Sequence, residues 1–168
     1  MIKNHIFIFG LLIIFCISVN ADMLPKSVRI PSASVAVRDD ALAVTVNPAG
    51  LGINQDFNGC YFHTISDKFG GDDAYFLAYG NIGFGAEYVS SSPKFRKYTF
   101  SESIKLNDGA YFGTAYSWFN SGDKHYDRLS SWDIGFLSRP SNLISIGIVA
   151  RNLNRPSFKD ARTDRTYD

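Results

Sequence analysis

The sequence predicts an all-β chain, an antiparallel meander forming part of a transmembrane β-barrel, with a short N-terminal helical plug. Three observations predict it. Successive runs alternate large apolar with polar or small side chains, which is the period-2 signature of a strand whose two faces meet different surroundings. Several runs approach the roughly 9–11 residues that a tilted membrane strand requires, where soluble strands average about 5–6. Aromatics are abundant, with 14 Phe, 9 Tyr and 2 Trp spread along the chain, a composition that suits strands and membrane interfaces.

Taken in order, residues 1–5 carry Lys3, residues 6–19 are apolar or small, and Val19-Asn20-Ala21 offers the small residues read by a signal peptidase. Residues 1–21 are therefore expected to be a secretory signal, because the apolar run is shorter than the ~20 residues of a spanning helix. The small residues a lipoprotein site would place before Cys16 are missing, so lipidation is not expected. Cleavage near Ala21 removes Lys3 from 17 basic residues and leaves 16 against 16 acidic ones. That balance, with no basic cluster among aromatics, argues against nucleic acid as a partner. Cys60 becomes the lone thiol, which excludes an internal disulfide framework and reads as a half-buried strand residue.

Residues 22–56 form a leader and plug segment. Asp39 and Asp40 offer capping carboxylates before helix-tolerant residues, giving about two turns until Asn47-Pro48-Ala49-Gly50 stops them. Pro48 pushes Asn47 out of the helical region. Residues 57–156 then hold the strands, expected at 57–65, 74–79, 82–90, 95–106, 110–119, 130–138 and 143–153. Gly80-Asn81 and Asn107-Asp108-Gly109 are hairpin turns, and Arg139-Pro140-Ser141-Asn142 reverses the chain before the last strand. The final pair shows the pattern most plainly. Trp132, Ile134 and Phe136 alternate with Ser131, Asp133 and Gly135, and Ile144, Ile146 and Ile148 alternate with Ser145 and Gly147. Glu102 is a charge amid the apolar side of its strand. Residues 157–168 are a polar tail or the start of a further strand. The expectation is of an incomplete barrel, because seven tilted strands close no roomy cylinder and the tail lacks the terminal aromatic usual in outer-membrane barrels.

Catalytic signals are weak. His63 and His125 read as solvated, no serine has a nucleophile-elbow setting, and Gly80–Gly85 lacks the helix and lysine of a phosphate cradle. Asp67, Asp72 and Asp73 match no calcium loop, so no metal, cofactor or catalytic role is assigned. Lys97, Lys105, Asp133 and Arg151 fall on the polar face, where they would line a lumen and meet a polar or anionic solute or simply pair with one another.

The run from Asp39 to Gly52, with its Asn47-Pro48-Ala49-Gly50 core, resembles the start of mature outer-membrane barrels of the long-chain fatty-acid transporter (FadL-like) and PorV/PorQ-like superfamily. That resemblance implies that Asp39, Asp40, Asn47, Pro48, Ala49 and Gly50 belong to a plug near or inside the barrel. The phrases 111–118, 129–135 and 146–156 resemble the barrel that precedes the protease domain of exported signal peptide peptidase A (SppA)-like chains. The resemblance implies a bacterial outer-membrane location with lipid as partner, and a non-catalytic membrane domain attached to a serine–lysine protease lying beyond these residues. The alternative is a transport or secretion-system component that meets a hydrophobic solute or secretion proteins. A soluble periplasmic β-sandwich with a binding role is the third reading.

Overall fold

A computed structural model describes residues 28, 30, 34–65, 71–90, 94–123, 126–141 and 143–154, together with the backbone of two short strands at 158–160 and 165–167. The expected signal peptide, His125 and Asp67 lie outside the described residues. The described residues are all-β apart from one short turn of helix, α1 (Ala43–Val46), and a following 3-10 helix (Pro48–Gly52). Seven strands follow: β1 (Asn58–Thr64), β2 (Asp72–Tyr79), β3 (Ile82–Val89), β4 (Phe95–Asn107), β5 (Ala110–Ser121), β6 (Ser130–Ser141) and β7 (Ile144–Ala150). Each pairs antiparallel with its neighbours in sequence, so the sheet order is the chain order, and the meander curls into an open half-barrel. The short strands β8 (Phe158–Asp160) and β9 (Arg165–Tyr167) pair with each other in a separate sheet.

The turns follow from local chemistry. Gly109, at φ +83°, and Gly80, at φ +59°, occupy the left-handed backbone region that a residue without Cβ enters freely. Where the strand bounds differ from expectation, the reasons are visible. β6 continues through Pro140 to Ser141, with its pairing irregular between Ser138 and Ser141; a proline without an N–H is accommodated where the ladder is already broken. β7 ends at Ala150, since Asn152 turns the chain at φ +56° and gives its N–H to the Asp133 carboxylate, 2.9 Å away. The helix is shorter than expected. Asp40 accepts the Leu42 N–H at 3.0 Å, and regular helix begins only at Ala43.

The register sorts side chains into two faces of opposite character. Across β3 to β6, Phe84, Phe100, Tyr116 and Trp132 stand in one cross-strand row on the outer face. One residue along, Gly85, Thr99, Ser117 and Ser131 stand in the matching row on the inner face. The outer residues are open, with Leu77 at 48%, Phe100 at 43%, Trp132 at 47% and Ile148 at 47% exposure, while Ser101 and Ser131 inside are at 0% and 2%. The inner face also buries Phe76, Phe119 and Leu137, so the departure from a water-soluble sheet is the long row of apolar side chains left open on the outer face. A chain of aromatic rings also crosses the outer face. It passes from Tyr61 to Tyr75 (4.8 Å between centroids), Tyr88 (6.3 Å), Tyr98 (6.4 Å), Trp118 (5.6 Å), Tyr116 (6.0 Å) and Trp132 (4.8 Å).

What covers the inner face is the segment 34–53. α1 packs on β3 and β4, and the 3-10 helix packs on β4, β5 and β6. The apolar residues buried there, among them Leu42, Val44, Leu51, Phe76 and Phe119, form the core. Among the described residues no helix is long and apolar enough to cross a membrane, a statement that does not concern strands.

Candidate functional site

The site is the seat of residues 34–53 on the inner wall. This segment is short and mostly irregular, so its backbone carbonyls lack the regular ladder that would otherwise satisfy them, and buried carbonyls must find donors. The inner wall supplies them. Ser101 Oγ donates to the Val44 carbonyl at 2.9 Å, and Ser103 Oγ lies 3.1 Å from the carbonyl oxygens of both Ala49 and Phe112. Arg151 donates to the Val46 carbonyl at 3.0 Å, Arg139 to the Val37 carbonyl at 3.0 Å, and Ser145 to the Ala36 carbonyl. Arg139 also holds the Asp39 carboxylate at 2.9 Å. The inward serines and arginines thus act as anchors for one segment, which is a structural reason for polar residues in a buried wall.

Asn47 is the pivot. Its side-chain oxygen accepts the Ala49 N–H at 3.2 Å and so caps the 3-10 helix, while its amide donates to the carbonyls of Val35 at 2.7 Å and Phe136 at 3.2 Å. One fully buried side chain ties the strap formed by residues 34–42, the 3-10 helix and β6 together. Pro48 stands at the first helical position, where its fixed φ suits the helix and its missing N–H is not needed.

Close approach is made possible by small inward residues. A Cβ on Gly113 would lie 2.3 Å from the Pro48 carbonyl carbon, and one on Gly135 would lie 2.1 Å from Asn47 Oδ1. A Cβ on Gly147 would lie 2.4 Å from the Val35 carbonyl oxygen. Gly113 and Gly135 are cross-strand partners, so the floor beneath Asn47-Pro48-Ala49 is a glycine pair. Gly50 is confined from the other side, where a Cβ would meet the Arg38 carbonyl oxygen at 1.9 Å.

The plug residues expected from sequence therefore share one site, with Asp39 bound by Arg139 and Asp40 bound by Arg38 at 2.8 Å. The four expected lumen-facing charges do not form a common cluster. Lys97 lies 3.1 Å from Glu87, whose side chain is 1% exposed and whose other oxygen accepts the Val28 N–H at 3.2 Å. The Lys97 contact is an ion pair with poor hydrogen-bond alignment. Lys105 stands at the opposite end of β4, half exposed, against Asp108 at 2.8 Å. Asp133 receives the Ser131 hydroxyl at 3.2 Å as well as the Asn152 N–H, and Arg151 grips α1. Sequence reasoning missed Glu87, Arg139, Ser101, Ser103 and Ser145. The available signal was the succession of Gly, Ser and Ala at inward positions on adjacent strands, which marks a surface that another backbone approaches.

His63 Nδ1 lies 2.9 Å from Asp73 Oδ1, which also receives the Tyr61 hydroxyl at 2.7 Å; the three project from the outer face of β1 and β2, away from the plug. Among the described residues no group of His, Cys, Asp and Glu is arranged to hold a metal ion. The chain was compared with protein-family models, curated proteins and solved structures, and none matches.

Proposed function

We propose that this chain is the N-terminal membrane part of an exported bacterial outer-membrane β-barrel. Its outer face lies in lipid, its inner wall is closed by the plug at 34–53, and it carries no catalytic role of its own. The observation that carries the reading is the inverted distribution of side chains, with Tyr, Phe, Trp, Ile and Leu standing open on the outer face while Ser101, Ser103, Thr99, Ser117 and Ser131 are buried within. Strands that alternate apolar-out and polar-in are what a lipid-embedded barrel requires. The backbone groups of such a sheet are satisfied between strands, the arrangement that suits a medium without water.

Two roles fit this placement. One is a non-catalytic membrane domain attached to a signal peptide peptidase A-like serine protease, the role suggested by the phrases at 111–118, 129–135 and 146–156. The other is a FadL-like or PorV-like transport or secretion-system component, suggested by the Asp39 to Gly52 motif and supported by the way that motif seats on the wall. The test begins with fractionation of the expressed protein. Recovery in the outer membrane as a band that shifts on heating is expected, and recovery in the soluble periplasm would refute the membrane reading. A serine-reactive probe carried by the same membrane complex would favour the protease-attached role. Retention of a radiolabelled fatty acid by the purified protein would favour the transport role.

A further inference from the structure

We infer that the outer wall carries a notch for one arginine side chain of a different lipid-embedded protein, formed by the Glu102 carboxylate, the Thr114 hydroxyl and the rings of Phe112 and Tyr116. The inference rests on the membrane reading above. Its first ground is Glu102 itself. The alternation of β4 puts Glu102 on the outer face between Phe100 and Ile104, and its cross-strand partners are Ile82 and Thr114. Glu102 is exposed, and so are Ile82, Phe100 and Ile104, at 49%, 43% and 54%. The apolar surface continues past it through Leu106 toward the Asp108 turn. Among the described residues no side chain pairs with its carboxylate, and the plug and the core make no use of it. A carboxylate set among lipid-facing side chains is costly unless a counter-charge meets it.

The second ground is the shape beside it. The outward series on β5 runs Phe112, Thr114, Tyr116, so one small side chain stands between two rings. Outward neighbours on a strand are about 6–7 Å apart, which leaves a gap over Thr114 that a flat side chain can enter from outside. Thr114 and Glu102 are directly opposite each other, so hydroxyl and carboxylate flank the same gap. A guanidinium placed there gives two parallel N–H groups to the carboxylate and another to the hydroxyl, and lays its plane against a ring. A lysine ammonium is more strongly hydrated and lacks the planar fork, so the notch suits arginine.

The third ground is charge complementarity, which also decides whose arginine it is. The outward positions of β1 to β7 hold a single lysine or arginine, Arg96, and it lies over the Tyr88 ring at 5.8 Å. Arg96 stands roughly 20 Å from Glu102 along β4, at about 3.3 Å per residue. Two copies inserted with one orientation therefore present Arg96 at the wrong level, and their Glu102 side chains would repel. A lipid amine is confined to the headgroup layer, whereas Ile104, Leu106 and Phe112 extend apolar surface beyond Glu102 on the side of the turn. A partner's arginine in lipid needs an anion as much as Glu102 needs a cation.

The test places a photoreactive benzoylphenylalanine at Ile104, beside the notch, in the full chain made in its own cells. Irradiated cells are fractionated, and adduct peptides are read by mass spectrometry. The expected adduct joins Ile104 to an arginine-bearing peptide of another membrane protein. Its yield should fall about tenfold in Glu102→Gln, the loss of a charge-assisted contact, and severalfold in Thr114→Val. It should return when Glu102→Arg is combined with a glutamate in place of the partner's arginine. Glu102→Gln should keep the heat-shifted band of the parent; loss of that band assigns Glu102 to this chain's own fold and overturns the inference. An adduct to a second copy, an adduct whose yield is unchanged in Glu102→Gln, or no adduct from a protein that shows the band also overturns it. A product found only in the soluble fraction refutes the membrane reading, and this inference with it, before any adduct is scored.

Discussion

Phe100→Arg separates a lipid-facing wall from a water-facing one because the two readings give it different magnitudes. Phe100 lies near the middle of the 13-residue β4, between Phe84 and Tyr116 on the outer face, and is 43% exposed. An aromatic side chain offers on the order of 200 Å², so about 85 Å² is free to meet the surrounding medium. In a bilayer that area is worth about 2 kcal/mol at about 25 cal/mol/Å². An arginine near the midplane adds about 2–4 kcal/mol. The expected loss is about 4–6 kcal/mol, comparable with the whole stability of many domains. In water the same position would be an ordinary surface site, and its substitution would move stability by about 0.5 kcal/mol. The assay is urea titration of the protein folded into phospholipid vesicles, followed by the heat-shifted band and by tryptophan emission. Gly122→Arg is the control, since a Cβ there meets nothing within 4 Å, and it should stay within about 0.5 kcal/mol of the parent. A Phe100→Arg protein as stable as the control would refute the assignment of the outer face to lipid.

Three further outcomes are expected. Gly113→Ala places its Cβ against the backbone of Pro48 and Ala49, which no rotamer change relieves, so it should cost about 1–3 kcal/mol and expose residues 34–53 to added protease; an unchanged digestion pattern would show that the plug does not rest there. Glu87→Gln leaves the 13%-exposed Lys97 without its buried counter-charge and should cost about 3–5 kcal/mol by urea titration, whereas Glu87→Gln with Lys97→Met should recover most of that loss; equal losses in the single and double variants would deny the pair its role. In the turn after β4, hydrogen bonding from Lys105 holds the Asp108 carboxyl below its ordinary range. Its folded value is depressed, so the contact contributes at neutral pH and is lost as pH falls through that lowered value, and an NMR titration should place the Asp108 midpoint below about 3.9 in the parent and higher in Lys105→Gln.

Strand identity was legible because period 2 is a direct imprint of the pleat. Ile146 and Ser145 cannot share a face whatever the tertiary fold, and the register bears this out by placing Ile146 opposite Ser138 on the outer face while Ser145 reaches the strap at Ala36. The helix at Ala43 was legible in position but not in length, since the Asp40 side chain serves a turn at Leu42 instead of extending the helix toward Asp39. The anchoring roles of Arg139 and Ser145 were not legible, because they depend on where a strap about a hundred positions earlier in the chain comes to rest. Arg151, expected on the polar face, has a partner that the sequence did not announce. Its guanidinium meets the carbonyl of Val46, and no periodicity in β7 could announce that contact.

The inverted faces also bear on the choice between a barrel and a sandwich. In a sandwich the second layer packs about 10 Å away on the apolar face, and that burial stabilises the sheet. Here the layer that does pack, residues 34–53, lies on the face lined by Gly, Ser, Thr and Ala together with Phe76, Phe119 and Leu137, and it is held by hydrogen bonds from Ser101, Ser103, Arg139 and Arg151 as well as by Leu51 and Val44. The apolar face, with the ring chain from Tyr61 to Trp132, is left to the surroundings. A sandwich would need a second apolar layer over that convex surface while the inner wall kept its own cover, and among the described residues no third layer packs there. On the proposed membrane reading, lipid would supply the missing layer without further sequence, and a bilayer would then account for both faces at once.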